Sequence, residues 1–290
     1  MLLLIITVPL AITTYLYNRS DLPKFSVLVI LGTFFIAASL MLSVYFLYRN
    51  PEKSGTFTLE FDTAFDPLVF IFLLTAVVST VFSFFLYVSY HGQYERQIGL
   101  LTFIYLFLVY YFSPQVFNSE KRIKQTVFII EITAVIVAVY AIIQDAGLDP
   151  FDIQPVADKR PVSTLGNSVF AGGFMALVLP FSLLNVSGKR KVLLKVLFPL
   201  MILTGIIVTK TRSAYLAVII ELIILSLTYL LVFRNTTEES RKKYRNIFIA
   251  IIIFVAVIFL FFVFFPGNPY VSRLTSVIFS ENNPRWILWQ

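Results

Sequence analysis

Apolar runs of about 18–24 residues recur along this 290-residue chain, separated by short connections that carry most of its charge. A helical run of that length matches the roughly 30 Å hydrocarbon core of a bilayer. Inside hydrocarbon every backbone N–H and C=O needs an internal partner, so a chain built of such runs folds as membrane-spanning helices. Nine runs qualify: 1–17, 25–48, 67–90, 98–117, 126–144, 165–186, 192–209, 213–233 and 247–265. No repeat, low-complexity tract or soluble linker interrupts them. The expected fold is therefore all-α, a polytopic transmembrane helical bundle over 1–265, with a more polar tail at 266–290.

Composition excludes the main competitors. With 58% hydrophobic residues, 31 Phe, 15 Tyr and only 13% charged residues, the chain is too oily for a soluble domain with a polar surface. Its mean hydropathy is +0.86. A net charge of +7 would suit nucleic acid, but the cations sit in short loops between apolar runs, where topology selection places them. No nucleic-acid partner is expected. The absence of cysteine removes disulfides, thiolate metal sites and cysteine catalysis. The N-terminal MLLLIITVPLAITTYLY lacks a basic leader and a small-residue cleavage site, and reads as a retained first helix.

Sidedness follows from the distribution of Lys and Arg. The connections 49–66, 118–125, 187–195 and 234–246 hold fourteen of the 23, and the others hold nine. The richer set is expected in the cytoplasm, with the N-terminus on the same side. Arg160, Lys210, Arg212, Arg273 and Arg285 then share the extracytoplasmic face, where the positive-inside tendency gives them no topological role.

Three segments concentrate these cations. In IIVTKTRSAYLAV (206–218), Lys210, Thr211 and Arg212 occupy a very short connection between two apolar runs. Snorkelling to the interface is one reading of the two cations. An anion site is the other, because an Arg at a helix start adds its guanidinium fork to the positive end of the helix dipole. In RPVSTLGNSVFAGG (160–173), Arg160 precedes a stretch of small and polar residues at the edge of a run. It reads either as a helix start capped by Ser163 or Thr164 with glycines for close packing, or as a second arginine facing the same anion. Gly166, Gly172, Gly173 and Pro180 leave that run open to kinking, tight packing or partial re-entry. In the tail, Asn283-Pro284 resembles a helix cap before Arg285, Trp286 and Trp289, and only seven residues follow Asn283. One turn is unstable alone, so the chain is expected to be truncated there.

Other polar residues carry weaker signals. His91 is the only histidine and has no second ligand beside it, so it reads as an interface residue. Glu131 and Glu221 lie inside apolar runs and suit packing or a hydrogen bond, with a neutral acid. Asp145, Asp149, Asp152 and Asp158 lack calcium-loop spacing and read as a solvated connection. Neither a metal site nor a cofactor site is expected. What remains is a set of extracytoplasmic arginines beside lipid-facing helices, a pattern suited to a lipid-linked phosphate or diphosphate.

At these residues the chain resembles the bacterial O-antigen ligase and O-antigen polymerase family. RPVSTLGNSVFAGG is similar to the family's Arg-x-x-(Ser/Gly)-Thr-(Leu/Phe)-Gly-Asn-Pro-x-x-x-(Ala/Gly) stretch, with Ser168 in place of the proline. Thr209 to Ala217, TKTRSAYLA, resembles its Thr-x-Ser-Arg-Gly-Ala-Trp-Leu-Ala signature, with Thr211 and Ser213 as the departures. Arg285-Trp286-x-x-Trp289 resembles the Arg-x-x-x-Trp region that opens the family's large extracytoplasmic loop. The order and spacing of the three segments agree with the family.

The resemblance implies a metal-independent, inverting glycosyltransferase in the bacterial cytoplasmic membrane. It would transfer a glycan from an undecaprenyl-diphosphate carrier to a lipid A-core, growing-glycan or protein acceptor on the outer face. Arg212 and Arg160 would bind the diphosphate and stabilise the leaving group, and Arg285 would organise the site from the loop at 266–290. Lys210, Asn167, Thr211 and Arg273 would contribute to substrate binding. The family's catalytic histidine follows the Arg-Trp stretch, so this sequence lacks it, and a fragment without it is expected to be inactive alone. The competing function is a non-enzymatic transporter or flippase for an anionic lipid or glycan. That role calls for polar residues near the midplane of several spans, where this sequence offers mainly Glu131 and Glu221.

Overall fold

The computed structural model describes residues 1–15, 20–49, 66–94, 96–115, 117, 119–153, 160–184 and 192–232. The span expected over 247–265 and the whole tail, with Arg273, Arg285, Trp286 and Trp289, lie outside the described residues. Among the described residues the structure is all-helical, with no strand. Nine helices are described: α1 Leu2–Leu10, α2 Asp21–Arg49, α3 Asp66–Val81, α4 Leu86–His91, α5 Leu100–Phe112, α6 Glu120–Asp145, α7 Ser168–Leu184, α8 Val192–Val208 and α9 Arg212–Val232. Two are long and apolar enough to cross a membrane, the Asp21–Tyr45 stretch of α2 and all of α6. The chain divides into two compact units, Met1–Thr133 and Ala134–Gln290.

In the first unit two of the expected runs are interrupted. A continuous helix over 1–17 does not form, because α1 stops at Leu10 and Ala11 is extended. Pro9 is followed by the β-branched Ile12, Thr13 and Thr14, which favour helix weakly. The Thr13 hydroxyl accepts from the Tyr15 N–H at 3.3 Å, offering the backbone a local alternative. The nine residues of α1 rise about 13 Å, less than half a bilayer core. Lys24 stabilises this corner by donating to the carbonyls of Ala11 at 3.1 Å and Ser20 at 3.0 Å.

The run 67–90 likewise divides into α3 and α4. Ser83 Oγ accepts from the Phe85 N–H at 3.2 Å and from the Ser89 hydroxyl at 2.6 Å, drawing the chain out of helix between them. Helix α5 covers only part of 98–117. Pro114 has no N–H to give the Tyr110 carbonyl, and the Ser113 hydroxyl takes that acceptor at 2.7 Å. Within this unit α5 packs on α2 and α3, through Thr33 and Tyr105 (hydroxyls 2.9 Å apart) and an edge-to-face Phe72–Phe103 pair at 5.4 Å.

Among the described residues of the second unit, α7, α8 and α9 lie close to the apolar runs 165–186, 192–209 and 213–233. Helix α7 packs against both α8 and α9. Its inward residues Ala171, Met175, Val178, Leu179 and Ser182 recur at helical spacing, as do Ile202 and Ile206 on α8 and Ala214, Val218 and Leu222 on α9. Val137, Ala138 and Ala141, on the last turns of α6, are buried too. The outward faces are also apolar, with Phe170, Leu177, Leu216, Ile219 and Ile223 all exposed. Helices oily all round suit hydrocarbon rather than water.

Candidate functional site

The TKTR segment forms the tight reversal between α8 and α9. Lys210 takes a left-handed conformation, φ 53°, which turns the chain in three residues. Thr209 is fully buried and returns its hydroxyl to the Ile206 carbonyl at 2.7 Å. Thr211 sits just before α9, and its carbonyl accepts from the Tyr215 N–H at 3.2 Å, starting the helix. The Tyr215 hydroxyl reaches back to the Ile207 carbonyl at 2.6 Å and clamps the reversal from the α9 side. Arg212 is the first residue of α9 and is exposed, so its guanidinium stands at the positive end of the helix dipole.

The RPVSTLGN segment builds the start of α7. Ser163–Leu165 form one 3-10 turn, closed by Gly166 at φ 71°, a conformation that glycine adopts without strain. Asn167, rather than Ser163 or Thr164, caps α7: its side-chain oxygen accepts from the Val169 N–H at 2.8 Å and its carbonyl from the Ala171 N–H at 2.9 Å. The Ser163 hydroxyl instead donates to the Val137 carbonyl of α6 at 2.7 Å. Arg160 is half-buried just ahead of this turn.

These two segments, about forty residues apart in sequence, meet at the starts of α7 and α9. Thr211 is buried, and its hydroxyl lies 3.0 Å from the Ser168 carbonyl and 3.2 Å from that of Thr209. It therefore ties the two segments together, a structural role that the expected substrate contact did not include. Gly172 makes this approach possible: a Cβ there would lie 2.9 Å from Ala214 Cβ and 3.0 Å from Thr209 Oγ1.

Lys210 has a partner that neither sequence reading named. Its ammonium lies 2.9 Å from Asp145 at the end of α6, with both side chains only 16% exposed. The connection expected to be solvated is also organised around Asp149. That carboxylate accepts from the Tyr140 hydroxyl (2.5 Å), Gln144 Nε2 (3.1 Å), the Phe151 N–H (3.3 Å) and the Ile153 N–H (2.8 Å). Asp145→Ala is expected to cost about 1–3 kcal/mol by removing the carboxylate 2.9 Å from a part-buried ammonium. The Asp145→Ala/Lys210→Met pair should recover part of that loss. Thermal unfolding in detergent of the wild type, both single variants and the double variant checks the order.

The remaining candidates stand apart from this cluster. His91 ends α4 in the first unit, between the rings of Tyr87 and Tyr90 at centroid distances of 4.6 and 4.8 Å. Glu131 is fully buried within α6. Glu221 lies on α9, and its Oε2 is buried with no hydrogen-bond partner among the described residues, as is Ser182 Oγ on α7. No group of three or more His, Asp or Glu residues that could hold a metal ion occurs among the described residues. Comparison of the chain with protein-family models, curated proteins and solved structures gives no match.

Proposed function

We propose that the chain is a membrane-embedded O-antigen-ligase-like glycosyltransferase that binds an undecaprenyl-diphosphate-linked glycan at the starts of α7 and α9. The observation that carries the reading is the tie between Thr211 and Ser168 at 3.0 Å, which joins the two arginine-bearing segments on which the resemblance rests. Arg212 lies one residue beyond that tie, and Arg160 just before the turn that leads to Ser168. Two helix starts and two guanidinium groups supply aligned N–H dipoles and bidentate donors, which suit the oxygens of a diphosphate.

In the proposed reaction an acceptor hydroxyl oxygen attacks the anomeric carbon of the donor sugar. The bond from that carbon to the diphosphate oxygen breaks with inversion, and the hydroxyl proton passes to the histidine base that the resemblance implies, which is not His91. Negative charge grows on the departing diphosphate, so donors already aimed at it favour the transition state over the ground state. Arg212 and Arg160 hold this role, and Lys210 contributes less because Asp145 already engages its charge.

The proposed site faces the extracytoplasmic side of a bacterial cytoplasmic membrane. For α6 to α9 this rests on the connections 118–125, 187–195 and 234–246, which hold twelve Lys and Arg. It does not depend on the short α1. A multi-pass arrangement is part of the proposal, whereas nine spans and a cytoplasmic N-terminus would both require the run 1–17 to cross, which the nine-residue α1 is too short to do by itself.

Arg160→Ala in the protein expressed from its intact gene is expected to lower glycan transfer by about tenfold or more, the worth of one charge-assisted contact. Membrane levels should stay normal. Unaltered transfer by this variant would count against the diphosphate site.

A further inference from the structure

Gln144, on the last turn of α6, is buried at 2% exposure. Both ends of its amide are used. Nε2 donates to Asp149 at 3.1 Å, while Oε1 accepts from the Val162 N–H at 3.1 Å and the Ser163 N–H at 2.7 Å. No other neutral side chain supplies a donor and a two-lone-pair acceptor in this planar arrangement, except the shorter Asn.

The backbone that Gln144 grips is unusual. Ser163 stands at φ 51°, a left-handed conformation that a non-glycine residue holds only when its surroundings impose it. Only the buried Pro161 separates Arg160 from Val162. Because the proline ring fixes φ near −65°, the orientation of the Val162 amide carries back to Arg160 with few soft torsions between them.

The next residue on the same turn, Asp145, holds Lys210 in the reversal that ends at Arg212. Adjacent residues of α6 thus anchor the two cationic segments separately. From this geometry we propose that Gln144 is a positioning residue, setting Arg160 against Arg212 so that both face one anion. The assignment rests on the diphosphate-site reading and adds to it the residue that fixes the spacing of the two arginines. Gln144 itself touches no substrate in this account.

The test is a double-mutant cycle on the full chain in lipid nanodiscs, with undecaprenyl diphosphate as the probe and Kd as the readout. Gln144→Leu is expected to weaken binding about tenfold in the wild-type background, because misplacing Arg160 forfeits roughly its charge-assisted contact. In the Arg160→Ala background the same change should matter less than about twofold, since the group it positions is gone. Gln144→Glu keeps the acceptor for the Val162 and Ser163 N–H groups, and one proton shared between its carboxyl and that of Asp149 replaces the Nε2 donor, so Kd should stay within about threefold of wild type. This conservative variant keeps the test decisive even where Gln144→Leu folds poorly.

Equal loss from Gln144→Leu in both backgrounds, or a loss from Gln144→Glu as large as that from Gln144→Leu, would overturn the positioning role and leave Gln144 as general support. Unchanged binding by Arg160→Ala alone would instead overturn the site reading, and the positioning role with it.

Discussion

Gly205→Leu is expected to stop the second unit from packing, with no monodisperse protein recovered in detergent. Gly205 lies where α8 crosses α6 and α7. A Cβ at this position would sit 2.6 Å from both Ala138 Cβ and Met175 Sδ, and 2.8 Å from Ala138 Cα. The Met175 sulfur can swing away, but Ala138 Cα moves only with the α6 backbone. That backbone also carries Val137, Gln144 and Asp145, which hold the turns at 163 and 210. A leucine adds three further carbons to the clash, so the cost should reach about 3 kcal/mol or more, against total stabilities of about 5–15 kcal/mol. Gly173 provides the control. A Cβ there meets nothing within 4 Å, and Gly173→Ala should leave recovery unchanged and stabilise the helix slightly, by about 0.5–1 kcal/mol.

In the protein expressed from its intact gene, Arg212→Ala is expected to reduce glycan transfer by about a hundred- to a thousandfold, the scale seen when one preorganised donor to a developing negative charge is removed. Stability should change by less than about 0.5 kcal/mol, because Arg212 is exposed on the first turn of α9. Arg212→Lys restores the charge but not the planar fork, so it should recover only part of the activity. Lys210→Met should behave in the opposite sense. It breaks the part-buried pair with Asp145, so its loss should appear first in thermal unfolding and less in transfer. A stability loss at Arg212 with little effect on transfer would reverse the assigned roles.

The sequence announced α7, α8 and α9 within a few residues because each run is bounded by Asn, Lys-Thr-Arg or a basic cluster. It did not announce the ends of α1 and α3. Those breaks are made by Thr13 and Ser83 hydroxyls that accept nearby backbone N–H groups, and hydropathy scores both stretches as uninterrupted. Arg160 and Arg212 could be singled out because a cation in an oily stretch is conspicuous. Gln144 could not, since an uncharged amide at the end of a run looks like an ordinary helix terminus. Its significance comes from partners eighteen and nineteen residues away, and no local period carries that information. Asp149 was hidden for a related reason. Four carboxylates between 145 and 158 suggest solvation, and only the fold shows that Asp145 binds Lys210 and that Asp149 binds Gln144.

In the proposed function the starts of α7 and α9 bind a lipid-linked diphosphate. The most direct measurement is a titration of the chain in nanodiscs with undecaprenyl diphosphate and, separately, undecaprenyl phosphate. Wild type should prefer the diphosphate by about tenfold, and Arg160→Ala/Arg212→Ala should lose both the affinity and the preference. Equal affinity for the two lipids in the wild type, retained unchanged in the double variant, would contradict the account.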